Sequence, residues 1–476
     1  MNAAPLWTAA EAAKATGGRA TGDWTCAGIC SDSRKVAGGD LFVALKGPNH
    51  DAHEYVADAF ERGAAAALIS SLPDRVTADA PLLFVDDVLA GLNRLAHAAR
   101  ERSPAKIFAV TGSVGKTGTK ETLKLALSLQ GKIFASPASF NNEWGVPLSL
   151  AALPRDARYG VFEIGMNHPG EIAPLARMVR PQVGVITNVE GVHLAFFPSV
   201  EAVCDAKTEL FEGMGEGDVA VLNRDNPFYD RLAEAARRRG VGTIVSFGAH
   251  PAATVRLADC TLGAEHSEAA VAVAGETLAC AIGAPGRHWV TIGLTVLAAV
   301  HAAGGDVAAA AARLTDVKPL PGRGARHRVA LDGDGFTLID ESYNANPVSM
   351  RAAIENLGAT PPSAGGRRIA VLGDMLELGT QAPALHAGLA GPLSAANADL
   401  VFTVGPNMAH LRDALPAATR AGHAERSDDI VAPVVAAVGA GDVVMVKGSL
   451  GIRMAPVVVA LKQRDGAPES RAAGNG

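Results

Sequence analysis

The chain has 476 residues, 48% hydrophobic and 19% charged, which is too long for one compact core and has the makeup of a globular protein of two to four domains. A net charge of −6 gives no basic footprint for nucleic acid, and no apolar run is long enough to insert in a membrane. Five scattered cysteines, Cys26, Cys30, Cys204, Cys260 and Cys280, with no basic-then-apolar leader, suit a reducing cytoplasm rather than a disulfide framework. Cys26 and Cys30 have no second ligand pair for zinc, so buried thiols are expected.

Residues 1–103 carry short strands near 40–45, 65–69 and 82–85 with helical stretches between them, a small α/β module. A charged helix over 92–102 closes it before Pro104, a hinge position. Residues 104–316 alternate apolar strands at 107–110, 161–164, 183–187 and 219–222 with helices, one of them amphipathic over 123–129. That is a doubly wound α/β domain. Between 255 and 282 the period changes to short strand-like runs, 269–273 and 278–282 around Gly275, a small β extension. Helices over 290–302 and 307–314 and a turn-rich stretch at 319–324 end this part. Residues 317–476 repeat the alternation with strands at 336–339, 369–372, 400–404 and 443–446, a Rossmann-like third domain. The small, polar tail after Arg464 is expected to be disordered. The fold class is α/β in three domains.

The densest chemical signal is TGSVGKTGTKE, after the strand at 107–110. Gly112, Ser113, Val114, Gly115, Lys116, Thr117 and Gly118 form a short P-loop, in which only Ser113 and Val114 separate the first two glycines. Backbone N–H groups and the helix N-terminus face an anion, Lys116 adds a mobile charge and Thr117 offers a hydroxyl to magnesium. An ATP site follows. Glu163 ends an apolar strand; alone it would be a satisfied structural acid, but beside a P-loop it suits a metal-bound nucleotide. His193, past the strand at 183–187, is either polar surface or a ligand for metal or phosphate. Lys207 lies in a helical stretch and by default is a solvated charge. Asn141 and Asn142 open a turn, where their amides either reach a ligand or close an Asx turn. Residues 340–347, DESYNANP, are too polar for a simple helix cap.

TGSVGKTGTKE, NNEWGVP, FEIGMNHPGEI, NVEGVHL, AKTELF and LNRDN, in this order, resemble the central ATPase of the Mur ligase family, which joins amino acids or peptides to UDP-N-acetylmuramic acid precursors of peptidoglycan. SDSRKVAGGDLFVALKGPNHDAHEYV resembles the family's UDP-binding module. DESYNANPVSM, VLGDMLELG and VKGSLGIRM resemble the branch that adds D-alanyl-D-alanine to UDP-MurNAc-tripeptide, and the DNPR motif of the diaminopimelate-adding relatives is missing. The resemblance implies a cytoplasmic, monomeric ligase using ATP and Mg²⁺, with Lys116, Glu163, His193 and Lys207 as catalytic residues. Thr117, Glu163 and His193 would be metal-site residues, and Lys207, if carbamylated, would hold a second magnesium. Asn223 and Asp225 would fall near the nucleotide, with Arg323, Asp340, Tyr343, Asn344 and Asn346 closing onto ATP from the third domain. Ser31, Asp32, Ser33, Arg34, Asn49 and His53 would face the UDP end, and Asn141 and Asn142 the substrate. One departure stands out. Trp289 and Ile292 occupy places where relatives have an asparagine pattern, so other side chains or backbone groups would have to contact adenine. A sibling amino-acid ligase, such as a lysine-adding enzyme or a folylpolyglutamate synthase, would share the ATP site and differ in acceptor. A nucleotide-driven scaffold would bind ATP without product, and the 340–346 cluster speaks against it.

Overall fold

The computed structural model describes residues 4–331, 335–363 and 365–465. The tail expected to be disordered lies outside the described residues from Gly466 onward. In the first part, β1 (Trp7–Thr8), β2 (Arg19–Ala20), β3 (Thr25–Cys26), β4 (Gly28–Cys30), β5 (Asp40–Val43), β6 (Ala66–Ile69) and β7 (Leu82–Phe84) alternate with α1 (Ala9–Thr16), α2 (Val56–Glu61) and α3 (Val88–Arg102). β1 pairs with β3, and the other five strands form a sheet in the order β2-β7-β6-β5-β4. Its parallel strands are nearly all apolar, as burial on both faces requires. α1 starts at a capping box, with the Thr8 hydroxyl accepting the Glu11 N–H and the Glu11 carboxylate answering.

The central part begins with β8 (Lys106–Thr111), α4 (Lys116–Leu127), β9 (Ile133–Ala135), α5 (Gly145–Ala151), β10 (Tyr159–Glu163), α6 (Ile172–Val179), β11 (Val183–Ile186), α7 (Val200–Thr208), β12 (Val219–Asn223), α8 (Tyr229–Arg238) and β13 (Thr243–Gly248). It ends with β14 (Val255–Leu262), β15 (Ser267–Val273), β16 (Glu276–Ile282), α9 (Arg287–Ala302) and α10 (Val307–Arg313). Nine strands form one sheet, β16-β15-β14-β13-β12-β11-β8-β10-β9. The β extension expected from the changed period is a continuation of this sheet: β14 joins β13 in parallel through two residue pairs, and β15 and β16 follow antiparallel. From β8 the chain goes to β9 and β10 on one side and later to β11 on the other. This reversal opens a crevice at the carboxyl end of β8, where open α/β sheets bind ligands.

The C-terminal part holds β17 (Ala325–Val329), β18 (Phe336–Glu341), α11 (Pro347–Ala359), β19 (Arg368–Gly373), β20 (Leu400–Val404), β21 (Arg420–Ala424) and β22 (Val443–Lys447). Its six strands run β17-β18-β22-β19-β20-β21, parallel except β17. One apolar cluster runs unbroken from Trp7 and Leu41 in the first part to Phe162 and Leu210 in the central part. The C-terminal sheet has its own cores, built from residues between Val329 and Leu461. α3 ends at Arg102 and packs on α5, so the segment before Pro104 is docked against the central part.

Candidate active site

The loop between β8 and α4 holds glycine at two positions that need it. Gly112 has φ +145°, and a Cβ there would fall 1.9 Å from the Thr187 hydroxyl. Gly115 has φ +83° and starts α4 in the left-handed region. The Ser113 N–H donates to Asn188 O (2.9 Å), and the Ser113 hydroxyl donates to Glu190 O (3.1 Å). The loop after β11 therefore holds the cradle from outside. α4 begins at Lys116 and stops at Leu127, about two turns earlier at its start than the 123–129 pattern suggests, because the loop fixes where it begins.

Glu163 ends β10 beside this loop and is 1% exposed. The Thr117 hydroxyl donates to one carboxylate oxygen and the Asn141 amide to the other, both at 2.8 Å. The Lys116 ammonium donates to Gly112 O (2.7 Å). Burial holds Lys116 below the ordinary lysine range, Glu163 pulls the other way, and Arg323 adds repulsion. Lys120 is fully buried on α4 and donates to Ser136 O (2.6 Å), which ties down the segment that leads to Ser139 and Asn141.

A cavity of about 630 Å³ opens between this edge and the C-terminal sheet. Ser113, Val114, Gly115, Lys116, Thr117, Gly118, Asn141, Glu163, His193, Arg323, Tyr343, Asn344 and Asn346 line it, so the structure brings these expected residues together. The His193 Nδ1 meets the Glu377 carboxylate of the C-terminal part. Burial lowers His193, with Glu377 acting against it. Tyr343 donates its hydroxyl to Ser139 (2.9 Å), and the Arg323 guanidinium lies 4.2 Å from the Tyr343 ring. The Asn346 side chain caps α11 by accepting the Ser349 N–H.

Other expected residues do not line the cavity. Asp340 is buried and accepts N–H groups from Gly322 and Ser342, bracing the turn that carries Arg323. Asn142 makes the Asx turn, accepting the Gly145 N–H. Asn223 accepts the Asp225 N–H, and the Asp225 carboxylate accepts the N–H groups of Ala249 and His250. Lys207 is 1% exposed on α7, so the default of a solvated charge is overturned. Burial first and Lys116 second push its amine well below the lysine range.

In the first part, Ser31, Asp32, Ser33 and Arg34 follow the carboxyl end of β4, and Asn49 and His53 follow β5. Asp32 pairs with Arg34 at 2.9 Å, and Asn49 is exposed. The His53 Nδ1 faces Asp51 (2.6 Å), and its Nε2 accepts the Ser70 N–H (3.0 Å). The loop holding Gly47 touches Trp144, so this edge meets the segment that carries Asn141. All five cysteines are free; Cys26, Cys204 and Cys280 are buried, whereas Cys30 and Cys260 are only half-buried.

Sequence reasoning passed over Ser139, Glu377, Lys447 and Ser449, which all line the cavity. Lys447 is 2% exposed, and its ammonium meets Glu341 (3.3 Å) and Asn344 O (2.9 Å). A lysine closing the apolar run 443–446 is the same signal that pointed to Glu163. Among the described residues, no group of three or more His, Cys, Asp or Glu side chains could hold a metal. A magnesium ion needs no such cage. It uses one or two protein oxygens with phosphate and water, and the Thr117 hydroxyl and Glu163 carboxylate fit that demand.

Residues 25–100 match the Mur ligase family, catalytic domain; 110–300 match the Mur ligase middle domain; 325–450 match the Mur ligase, glutamate ligase domain. A UDP-N-acetylmuramoyl-tripeptide–D-alanyl-D-alanine ligase of Rickettsia prowazekii is 30% identical over 95% of this chain and 99% of its own length. The like-named Escherichia coli protein is 34% identical over 80% of this chain and 82% of its own. Crystal structures of MurF from Acinetobacter baumannii (TM-score 0.82, 27% identity, 97% and 100% of the two chains) and from Thermotoga maritima with ADP (TM-score 0.75, 25% identity, 92% and 98%) share the architecture.

Proposed function

Because the chain belongs to the Mur ligase family, we infer that the cavity between its central and C-terminal sheets is the centre of a peptide-ligating reaction. The chain is an ATP-dependent ligase that adds D-alanyl-D-alanine to UDP-N-acetylmuramoyl-tripeptide for peptidoglycan synthesis. The observation that carries this reading is the phosphate cradle with Glu163 at its side, walled by a second polar sheet edge.

The terminal phosphoryl group of ATP passes to the tripeptide carboxylate, giving an acyl phosphate. The dipeptide amine attacks the acyl carbon, a C–N bond forms and phosphate leaves. Without phosphorylation the leaving group would be oxide. The loop N–H groups and Lys116 face the charge that spreads over the transferring group, and they cost no reorganisation. Thr117 and Glu163 would hold a magnesium ion, which supplies further charge stabilisation when bound. Lys207, if its amine is carbamylated, would offer oxygens to a second. Asn141 orients Glu163, and His193, held by Glu377, would join the metal site. Ser31, Asp32, Ser33, Arg34, Asn49 and His53 would receive the UDP end, which suits their place at the carboxyl ends of parallel strands. Asn223 and Asp225 would act on the nucleotide through the loops they brace, and Asp340 through the Arg323 turn. The domains would divide at 103/104 and 316/317. The reaction draws on UDP-linked precursors, and a cytoplasmic location would suit that supply.

The test is phosphate release from ATP with UDP-MurNAc-tripeptide and either D-alanyl-D-alanine or free diaminopimelate, with Lys116→Ala as control. Release and UDP-pentapeptide formation only with the dipeptide are expected. Turnover with the free amino acid would move the chain to a sibling ligase, and none with either would sink the reading.

A further inference from the structure

The lining of the cavity has two chemically different parts. Beyond the phosphate loop it includes the polar Asn141, Glu163 and His193, and also the apolar Trp289, Ile292, Leu320, Val348 and Ala352. A nucleotide lying with its phosphates on the loop puts its charged end near the first group, and its flat base belongs against the second. Trp289 and Ile292 are buried on α9. Ile292 also closes onto α4: a Cβ at Gly118 would fall 2.8 Å from Ile292 Cδ1 and 3.8 Å from the Trp289 ring. The isoleucine thus fills the space that the missing side chain of Gly118 leaves.

Apart from the His288 imidazole, which also lines the cavity, this stretch of α9 has little with which to read a base edge. From Thr291 on, the backbone groups are inside a helix and satisfied by it. The two cavity-lining hydroxyls there donate backwards, Thr291 to Arg287 O (3.2 Å) and Thr295 to Thr291 O (2.8 Å). α9 itself contributes no side-chain amide to the lining; the amides of Asn344 and Asn346 belong to the C-terminal part. We propose that this chain selects its nucleotide by the shape and apolar face of the purine, through the complementary pair Gly118 and Ile292 with Trp289. It therefore accepts hypoxanthine, in which an oxygen replaces the exocyclic amino group of adenine, nearly as readily as adenine. An apolar pocket rejects such an isostere weakly, whereas a site built to hydrogen-bond the group rejects it by orders of magnitude more.

This rests on the ligase reading, so the experiment reads the base in two ways. Ligation is followed with ATP and with ITP at saturating tripeptide and dipeptide. Separately, ADP and IDP compete with a fluorescent, ribose-labelled ADP in the absence of acceptor. A preference for the adenine nucleotide below about 100-fold in both is expected, the range that an apolar pocket supplies; a larger preference in the competition overturns the proposal. Failure of ligation with ATP itself would sink the ligase reading and leave the competition to report on the base. Ile292→Asn places an amide on the wall and is expected to raise the preference for adenine roughly tenfold. An unchanged ratio removes Ile292 from the assignment, and if that variant does not fold, the ratio of the unaltered chain decides alone.

Discussion

Lys207 is a lysine kept from water with no carboxylate among the forces acting on it. Burial and the nearby Lys116 charge both oppose its protonation, and only Cys204 acts the other way. Both effects shift the folded chain toward the neutral amine, the form that adds carbon dioxide. The folded-state pKa lies below the ordinary value of 10.5, so between the two the unfolded chain binds the extra proton. Stability therefore rises with pH through that window, and the full cost of the buried charge is present below the folded value. In bicarbonate-free buffer, the unaltered chain should lose melting temperature relative to Lys207→Met as pH falls through the window. The pH-dependent part of the difference should vanish only as pH rises past 10.5. Measuring both by calorimetry across pH isolates this group from the others. A difference that stays flat with pH would mean the ammonium is not buried as described.

At the scale of elements, the first part is fastened to the central part through α3 and the start of the chain. The Trp7 indole N–H donates to Ala151 O (3.0 Å) at the end of α5, and Arg100 on α3 donates to Val179 O (2.7 Å) and Arg180 O (2.8 Å) behind α6. Arg102 is different: its guanidinium lies 3.6 Å from the Trp7 ring, while its three buried nitrogens have no hydrogen-bond partner among the described residues. Burial, with Arg155 nearby, pulls it down to about 10. A cation–π contact contributes about 0.5–2 kcal/mol, whereas unpaired buried donors cost about 1–3 kcal/mol each. Arg102→Met, which keeps the stem over Trp7, should therefore match or raise the melting temperature, and Trp7→Ala should cost about 3–5 kcal/mol in chemical denaturation. A large loss from Arg102→Met would show that the stacked charge is the stronger effect.

Elements whose own residues set their period were legible, such as the buried runs of β8, β20 and β22. Elements set by their partners were not: β9 has three residues, β1 to β4 two or three each, and β21 is RAGHA, a half-buried edge strand without apolar alternation. Leu129 closed an apparent apolar stripe but is 75% exposed, beyond the end of α4. The site follows the same rule. Glycine spacing exposed the phosphate loop, and a carboxylate ending an apolar strand exposed Glu163. Whether Asp340, Asn142 or Asp225 faces a ligand or a backbone N–H depends on a rotamer that sequence does not encode, and the His193–Glu377 meeting joins residues 184 positions apart.

For the whole molecule, the distribution of apolar contact decides which part moves. The first and central parts share one unbroken core, so separating them would expose apolar surface at about 25 cal/mol per Å². The C-terminal sheet is closed upon its own cores and meets the central part through polar clasps: Tyr343 on Ser139, Glu377 on His193 and on the Ala195 N–H (3.0 Å), and Arg326 on Ala264 O. Polar contacts that water can replace contribute about 1 kcal/mol each, too little to hold two bodies rigidly but enough to bias their arrangement. The C-terminal part is thus the one expected to swing, and its closed position would exclude the water that hydrolyses an acyl phosphate. Removing two clasps together, Tyr343→Phe with Glu377→Ala, should leave the melting temperature of the central part nearly unchanged. It should also increase the radius of gyration in small-angle scattering without ligands. Adding a non-hydrolysable ATP analogue with UDP-MurNAc-tripeptide should restore the compact value, because residues of both parts line the cavity the nucleotide would enter. A radius that does not change on removing the clasps would place the rigidity elsewhere, in apolar contact between the two parts.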